Sequence, residues 1–367
     1  MPHIDILFLL HLPPPVHGSS MVGQYIHRSS EIANSFSCGF VNLLASKNVS
    51  SSGKVSFSKL SSFVGTWFKI LGRLIRQRPR VCYLALTATG AAFYRDVLIV
   101  ALLRLFGIKR IYHLHNKGVL RWSSHWIHRV FYRFVFSQAD VILLSKHLYS
   151  DIQDFVSESK VHICPNGIPE QIHQAARKNQ TPSPTKILFL SNLIESKGVF
   201  VLIEACSHLK KKGISFQCDF IGGEGDITAE QFQAKVDQCN LANQVSFLGK
   251  KYDQEKYEAF AGADIFAFPT HYPNECFPLV ILEAMQHQLP VVSSFEGGIR
   301  DMVIDGETGF LVEQQDVQTL ASKLEFLIEN EQARQKMGLA GRKKYKKEFT
   351  LERFETRIVE ILEQVAL

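Results

Sequence analysis

The chain has 367 residues, 46% apolar and 21% charged, which is ordinary soluble globular composition at a length that suits two domains with separate cores. No apolar run reaches the roughly 18 to 20 residues that span a bilayer; the nearest, 97–106, contains Arg104. Net charge is +6, but residues 1–172 hold 19 Lys and Arg against 8 Asp and Glu, a net of +11, and the remainder 22 against 27, a net of −5.

The amino terminus shows no basic leader or small-residue cleavage site, and an apolar run at 4–10 reads as a first strand. Seven cysteines, scattered and without Cys-x-x-Cys, point to a reducing compartment and no structural zinc. Further strand-like runs at 81–84, 110–114, 141–144 and 161–164 alternate with longer helix-like stretches, the pattern of a parallel sheet with crossover helices. Two basic segments lie among them. In the first, Lys69, Arg73 and Arg76 share one helical face while Phe68, Leu71, Leu74 and Ile75 populate the other. The second, residues 121–134, mixes bases with large aromatics. Such helices suit an anionic membrane surface or the solvated outer face of packed helices, with nucleic acid a third option that is not adopted.

A polar stretch at 169–184, with Thr-Pro-Ser-Pro, reads as a linker, after which the pattern restarts. Strand-like runs at 186–191, 217–221, 245–248, 265–268, 291–294 and 309–312 form a second doubly wound unit, and a helix-like run at 351–365 lies outside the alternation.

Within the second unit Glu275 and Glu283 stand eight apart between a strand-like run and a helix-like one, one on the loop and one about a turn and a half into the helix. The helix terminus between them presents unpaired amides and a positive dipole end that can hold a phosphate, while carboxylates accept from hydroxyls. A phosphate flanked by polyols describes a sugar nucleotide. On spacing alone, two solvated surface glutamates remain the bland alternative.

Six segments in order carry a family resemblance: Phe-Leu-Ser-Asn-Leu-Ile-Glu-Ser-Lys-Gly (189–198), Phe-Ile-Gly-Gly-Glu-Gly (220–225), Val-Ser-Phe-Leu-Gly (245–249), Ala-Asp-Ile-Phe-Ala-Phe-Pro-Thr (263–270), the Glu-x7-Glu stretch, and Gly-Gly-Ile through Gly-Glu-Thr-Gly-Phe-Leu-Val (297–312). The first half agrees more loosely, through Pro-Pro-Pro-Val-His-Gly (13–18), His-Leu-His-Asn (113–116), Leu-Leu-Ser-Lys (143–146) and Pro-Asn-Gly-Ile (165–168). The chain resembles retaining glycosyltransferases of family 4. The resemblance implies an α/β fold of GT-B type, two Rossmann-like doubly wound domains facing across a cleft. An acceptor-binding domain is expected at 1–170 and a nucleotide-sugar-binding domain at 185–349, with the helix at 350–367 packing back on the first.

Transfer from a nucleoside diphosphate sugar builds negative charge on the leaving diphosphate, so fixed positive charge and amide dipoles near it help most in the transition state. Lys197 is the candidate charge, and the amides around Phe277, Leu279 and Val280 supply the dipoles. Gly18 resembles the small residue that lets backbone approach the diphosphate. By resemblance Glu275 contacts the transferred sugar and Glu283 the ribose hydroxyls. His115 is a hydrogen-bonding group near the donor sugar and His113 is structural, although alternate strand positions also admit a metal pair. With no third ligand nearby and no Asp-x-Asp, neither metal nor cofactor is expected. Gly222 and Gly223 suit close backbone approach to a base or ribose, and base contacts are expected near Gly249 and Lys250.

Departures from the family pattern concern the phosphates. Asn192 stands where many members have an arginine, which leaves more of the diphosphate charge to Lys197, and Cys276 and Pro278 replace common glycines. The expectation is a retaining hexosyltransferase-type enzyme taking a nucleotide-sugar donor and a glycan or lipid-linked acceptor in surface polysaccharide biosynthesis, lipopolysaccharide included. It is placed in the cytoplasm, peripheral to the inner face of the cell membrane, with no nucleic acid partner. Two alternatives are a catalytically silent sugar-nucleotide-binding scaffold and a GT-B enzyme with a soluble acceptor.

Overall fold

A computed structural model describes residues 4–44, 57–171 and 184–366, with side chains except at 57–62. Most of the expected linker, 172–183, lies outside the described residues. Contacts divide the chain into Met1–Gly167 with Leu351–Leu367, and Ile168–Thr350.

The first unit is one parallel sheet of β1 (Ile6–Leu10), β2 (Cys38–Asn42), β3 (Val81–Leu84), β4 (Lys109–Leu114), β5 (Ala139–Leu143) and β6 (Val161–Ile163), in the order β2-β1-β3-β4-β5-β6. Helices on both faces make the central strands continuous apolar runs: every residue of β1, β3 and β5 is buried. β2 is the strand the sequence pattern leaves unread. It lies at the sheet edge, alternates half-buried with buried positions, and carries Gly39 in its interior, so it lacks the apolar run that marks the others. Helix Leu351–Ala366 packs on helix Ser30–Ser35, where the Thr356 hydroxyl donates to Glu31 at 2.9 Å.

Helix Phe57–Gln77 departs from its two-faced expectation. Leu74 turns inward with Ile70, both fully buried, whereas Phe68 and Ile75 face solvent beside the bases.

The second unit is a parallel sheet of β7 (Thr185–Leu190), β8 (Phe216–Ile221), β9 (Val245–Phe247), β10 (Ile265–Phe268), β11 (Val291–Ser294) and β12 (Gly309–Val312), in the order β12-β11-β10-β7-β8-β9. The chain winds outward from β7 through β8 and β9, then returns to β10 on the other side of β7. That reversal opens a crevice beyond the carboxyl ends of β7 and β10, where open α/β sheets take ligands. A glycine sets how closely the two loops meet there. Gly198 has φ of +88°, and a Cβ on it would fall 2.2 Å from the Pro269 carbonyl oxygen.

Candidate active site

Lys197 closes the short 3-10 turn Glu195–Lys197 after β7, and Glu275 lies in the loop after β10, so strand order brings together two residues 78 apart. The Lys197 Nζ donates to Glu275 Oε2 at 2.5 Å and sits 4.3 Å from the Tyr272 ring centroid. Both side chains are largely withdrawn from water, 15% and 10% exposed. Desolvated charges are costly unless paired, so each holds the other in place, and the aromatic face adds a further favourable contact for the ammonium.

The loop carrying Glu275 is braced from several sides. The His271 N–H donates to Ser196 O at 2.7 Å, tying it to the Lys197 turn. The Ser293 hydroxyl donates to Phe268 O at 2.5 Å, and the Ser294 hydroxyl donates to Thr270 O. Gly297, at φ of +52°, lies where a Cβ would come within 2.4 Å of the Glu275 carbonyl, and the Gly298 N–H donates to Cys276 O at 2.6 Å. In this braced loop His271 Nδ1 and Asn274 Oδ1 are buried without a protein partner among the described residues. Bound water or a ligand polar group would satisfy them.

Helix Leu279–Gln286 follows. Pro278 is its N-cap; it supplies no side-chain cap, and the first turn holds no acid. The amides of Leu279 and Val280 therefore begin a helix whose positive end no carboxylate of its own first turn offsets. Phe277 just before it is buried, its ring edge-on to Phe349 at 5.7 Å. Glu283, the fifth residue of the helix, accepts at Oε1 from Lys256 Nζ at 2.6 Å.

The residues expected on the nucleotide side gather beyond β8. The Gly223 N–H donates to Asn192 Oδ1 at 3.0 Å, which leaves the Asn192 amide nitrogen to act as a donor. A Cβ at Gly223 would collide with Lys250 Cε at 2.3 Å, so the Lys250 chain lies directly over this glycine. The Gly222 N–H donates to Gly249 O at 2.9 Å. Lys256 and Tyr272 are the contributors that the sequence did not single out. Each meets its partner through tertiary contact, so no local spacing marks it.

In the first unit, Gly18 opens helix Gly18–Arg28, and a Cβ built on it meets nothing within 4 Å. The imidazoles of His113 and His115 lie 4.1 Å apart at the end of β4, and His113 Nδ1 bonds the Tyr83 hydroxyl. Burial, helped by the neighbouring His17, lowers the His115 pKa to about 3, although part of its surface still meets solvent. His115 is therefore neutral at physiological pH. Burial also holds His113, His11 and His17 below the usual range. Among the described residues no three His, Cys, Asp or Glu side chains come together in a metal-binding group.

Superposition on solved structures gives the architecture. The protein HepE of Anabaena, solved in complex with UDP-glucose, matches with a TM-score of 0.72 at 19% identity over 99% of this chain and all of that one. The fold is GT-B. Residues 170–344, nearly the whole second unit of this GT-B chain, match the family model described as glycosyl transferases group 1. The chain is 30% identical to the amylovoran biosynthesis glycosyltransferase AmsK of Erwinia amylovora over 264 residues, 70% of this chain and 64% of AmsK. It is 27% identical to the capsular polysaccharide biosynthesis glycosyltransferase CapM of Staphylococcus aureus over 229 residues, 59% of each. The matched stretch thus spans less than two thirds of either relative's length.

Proposed function

We propose that the protein is a retaining glycosyltransferase that moves a sugar from a nucleoside diphosphate sugar to a glycan or lipid-linked acceptor in surface polysaccharide biosynthesis. The observation that carries this is the Lys197–Glu275 pair at the β7/β10 crevice, four residues ahead of an uncapped helix terminus. A largely buried ammonium suits a diphosphate, as do the open amides of a helix terminus, and a carboxylate beside the ammonium suits sugar hydroxyls. On donor binding the Lys197 ammonium turns from Glu275 to the diphosphate, and Glu275 accepts from the sugar.

In the reaction the bond from C1 to the phosphate oxygen breaks, and its electrons remain on the leaving diphosphate. Lys197 and the Leu279 and Val280 amides stabilise that charge where it develops. The acceptor oxygen bonds C1 on the same face, and its proton passes to the departing phosphate oxygen, so no carboxylate nucleophile is needed. Glu283 keeps Oε1 on Lys256 and offers Oε2 to the ribose. Asn192 adds a neutral hydrogen-bond donor. The likeness to a structure holding UDP-glucose makes that the first donor to try, and the names of AmsK and CapM support a polysaccharide acceptor. None of the seven cysteines is joined in a disulfide, which suits the cytoplasmic side of the membrane.

The test is turnover of UDP-, GDP- and ADP-sugars with the product's anomeric configuration read by NMR. Retention is expected, with kcat falling about 10²- to 10³-fold in Lys197→Ala, the scale for losing one transition-state donor. Inversion would refute the retaining mechanism, and unchanged turnover in Lys197→Ala would remove the assigned site.

A further inference from the structure

The outer helices of the first unit expose large apolar side chains where a solvated surface would carry polar ones. Helix Phe57–Gln77 contacts helix Gly90–Leu105, which in turn contacts helix Trp126–Phe136, so the three lie side by side. Phe68 and Ile75 on the first are 60% and 58% exposed, Leu105 on the second 80%, and Trp126 on the third 71%. Val64, Leu98 and Val130 continue the series. Single exposed apolar residues are ordinary; a run across three neighbouring helices marks a contact surface.

The charge on these helices has one sign. Residues 57–77, 90–105 and 119–136 hold nine Lys and Arg against one acid, Asp96. That acid is fully buried and paired with Arg95 at 2.7 Å, so it does not offset the outer face. On the first helix Val64, Phe68 and Ile75 form one stripe, and Lys69, Arg73 and Arg76 form the next stripe round. A groove of about 740 Å³ runs between this helix and β2, lined by Phe40, Phe68, Lys69, Arg73 and Arg76. Its lining is apolar with cations along it, which is the complement of an amphiphile with an anionic head. No described helix is long and apolar enough to cross a membrane, so such a surface would lie on a bilayer and not span it.

We propose that this three-helix face of the first unit docks on an anionic lipid bilayer, with Phe68, Ile75, Leu105 and Trp126 entering the interface and Lys69, Arg73 and Arg76 meeting lipid phosphates. The proposal stands independently of glycosyl transfer, because vesicle binding is measured without donor or acceptor.

The test is flotation of the full-length protein with vesicles of phosphatidylglycerol and phosphatidylcholine, against phosphatidylcholine alone. Binding is expected only with the anionic lipid and falls as salt rises. A basic residue near such a surface contributes about a fivefold change in affinity, so Lys69→Gln/Arg73→Gln/Arg76→Gln lowers partitioning about a hundredfold. Phe68→Ser/Trp126→Ser reduces it while retaining all charge. Circular dichroism and thermal melts check that each variant folds, and exposed positions make that the expected result. Equal binding to neutral vesicles, no binding to either, or unchanged binding by both folded variants would overturn the proposal. So would self-association, seen by light scattering, that the same substitutions abolish in a protein that ignores vesicles.

Discussion

Lys197 and Glu275 lie 78 positions apart, yet each was legible in the sequence because ordered motifs surround it. Their environment was not. The Tyr272 ring under the ammonium and Lys256 on Glu283 are set by strand order and helix docking, which leave no local periodicity. Burial acts similarly on the first unit's histidines. His11, His17, His113 and His115 all have pKa values lowered chiefly by burial, His115 to about 3. Unfolded imidazoles protonate near pH 6.5, so below that the unfolded chain binds more protons than the folded one. Their stabilising contribution is therefore complete above about pH 6.5 and is lost as pH falls towards the folded pKa values. The melting temperature is expected to drop between pH 7 and 5, less steeply in His115→Gln; a flat or rising profile would contradict buried neutral imidazoles.

Among elements, most strands announced themselves as apolar runs bounded by turns, because sheets covered on both faces need continuous apolar strands. β2 did not, since an edge strand with an interior glycine alternates instead. Helix Phe57–Gln77 was legible as amphipathic, but helical periodicity could not tell the core-facing Leu74 from the solvent-facing Phe68 and Ile75, which only the position of neighbouring elements decides. The junction of β7 and β10 depends on a backbone feature that sequence shows only as a glycine. Gly198→Ala must hold a positive φ and place its Cβ 2.2 Å from Pro269 O. We expect a loss of about 1 to 3 kcal/mol in urea unfolding, the cost of a strained backbone residue. An unchanged midpoint would mean that the two loops do not meet as closely as described.

For the whole molecule, the charge asymmetry visible in the sequence corresponds to a division of surfaces. The basic helices of the first unit carry the exposed apolar face, and the second unit, with 20 Lys and Arg against 24 Asp and Glu over residues 168–350, places the largely buried Lys197 ammonium at the β7/β10 crevice. This crevice is proposed to hold a nucleoside diphosphate. Its most direct test is thermal shift of the wild-type protein, Lys197→Ala and Glu283→Ala with UDP, GDP and ADP, because a ligand that binds the folded state raises its melting temperature by mass action. We predict that at least one nucleoside diphosphate stabilises the wild type, that Lys197→Ala loses most of that shift, and that Glu283→Ala loses part of it. No shift with any of the three, or equal shifts in all three proteins, would contradict the claim.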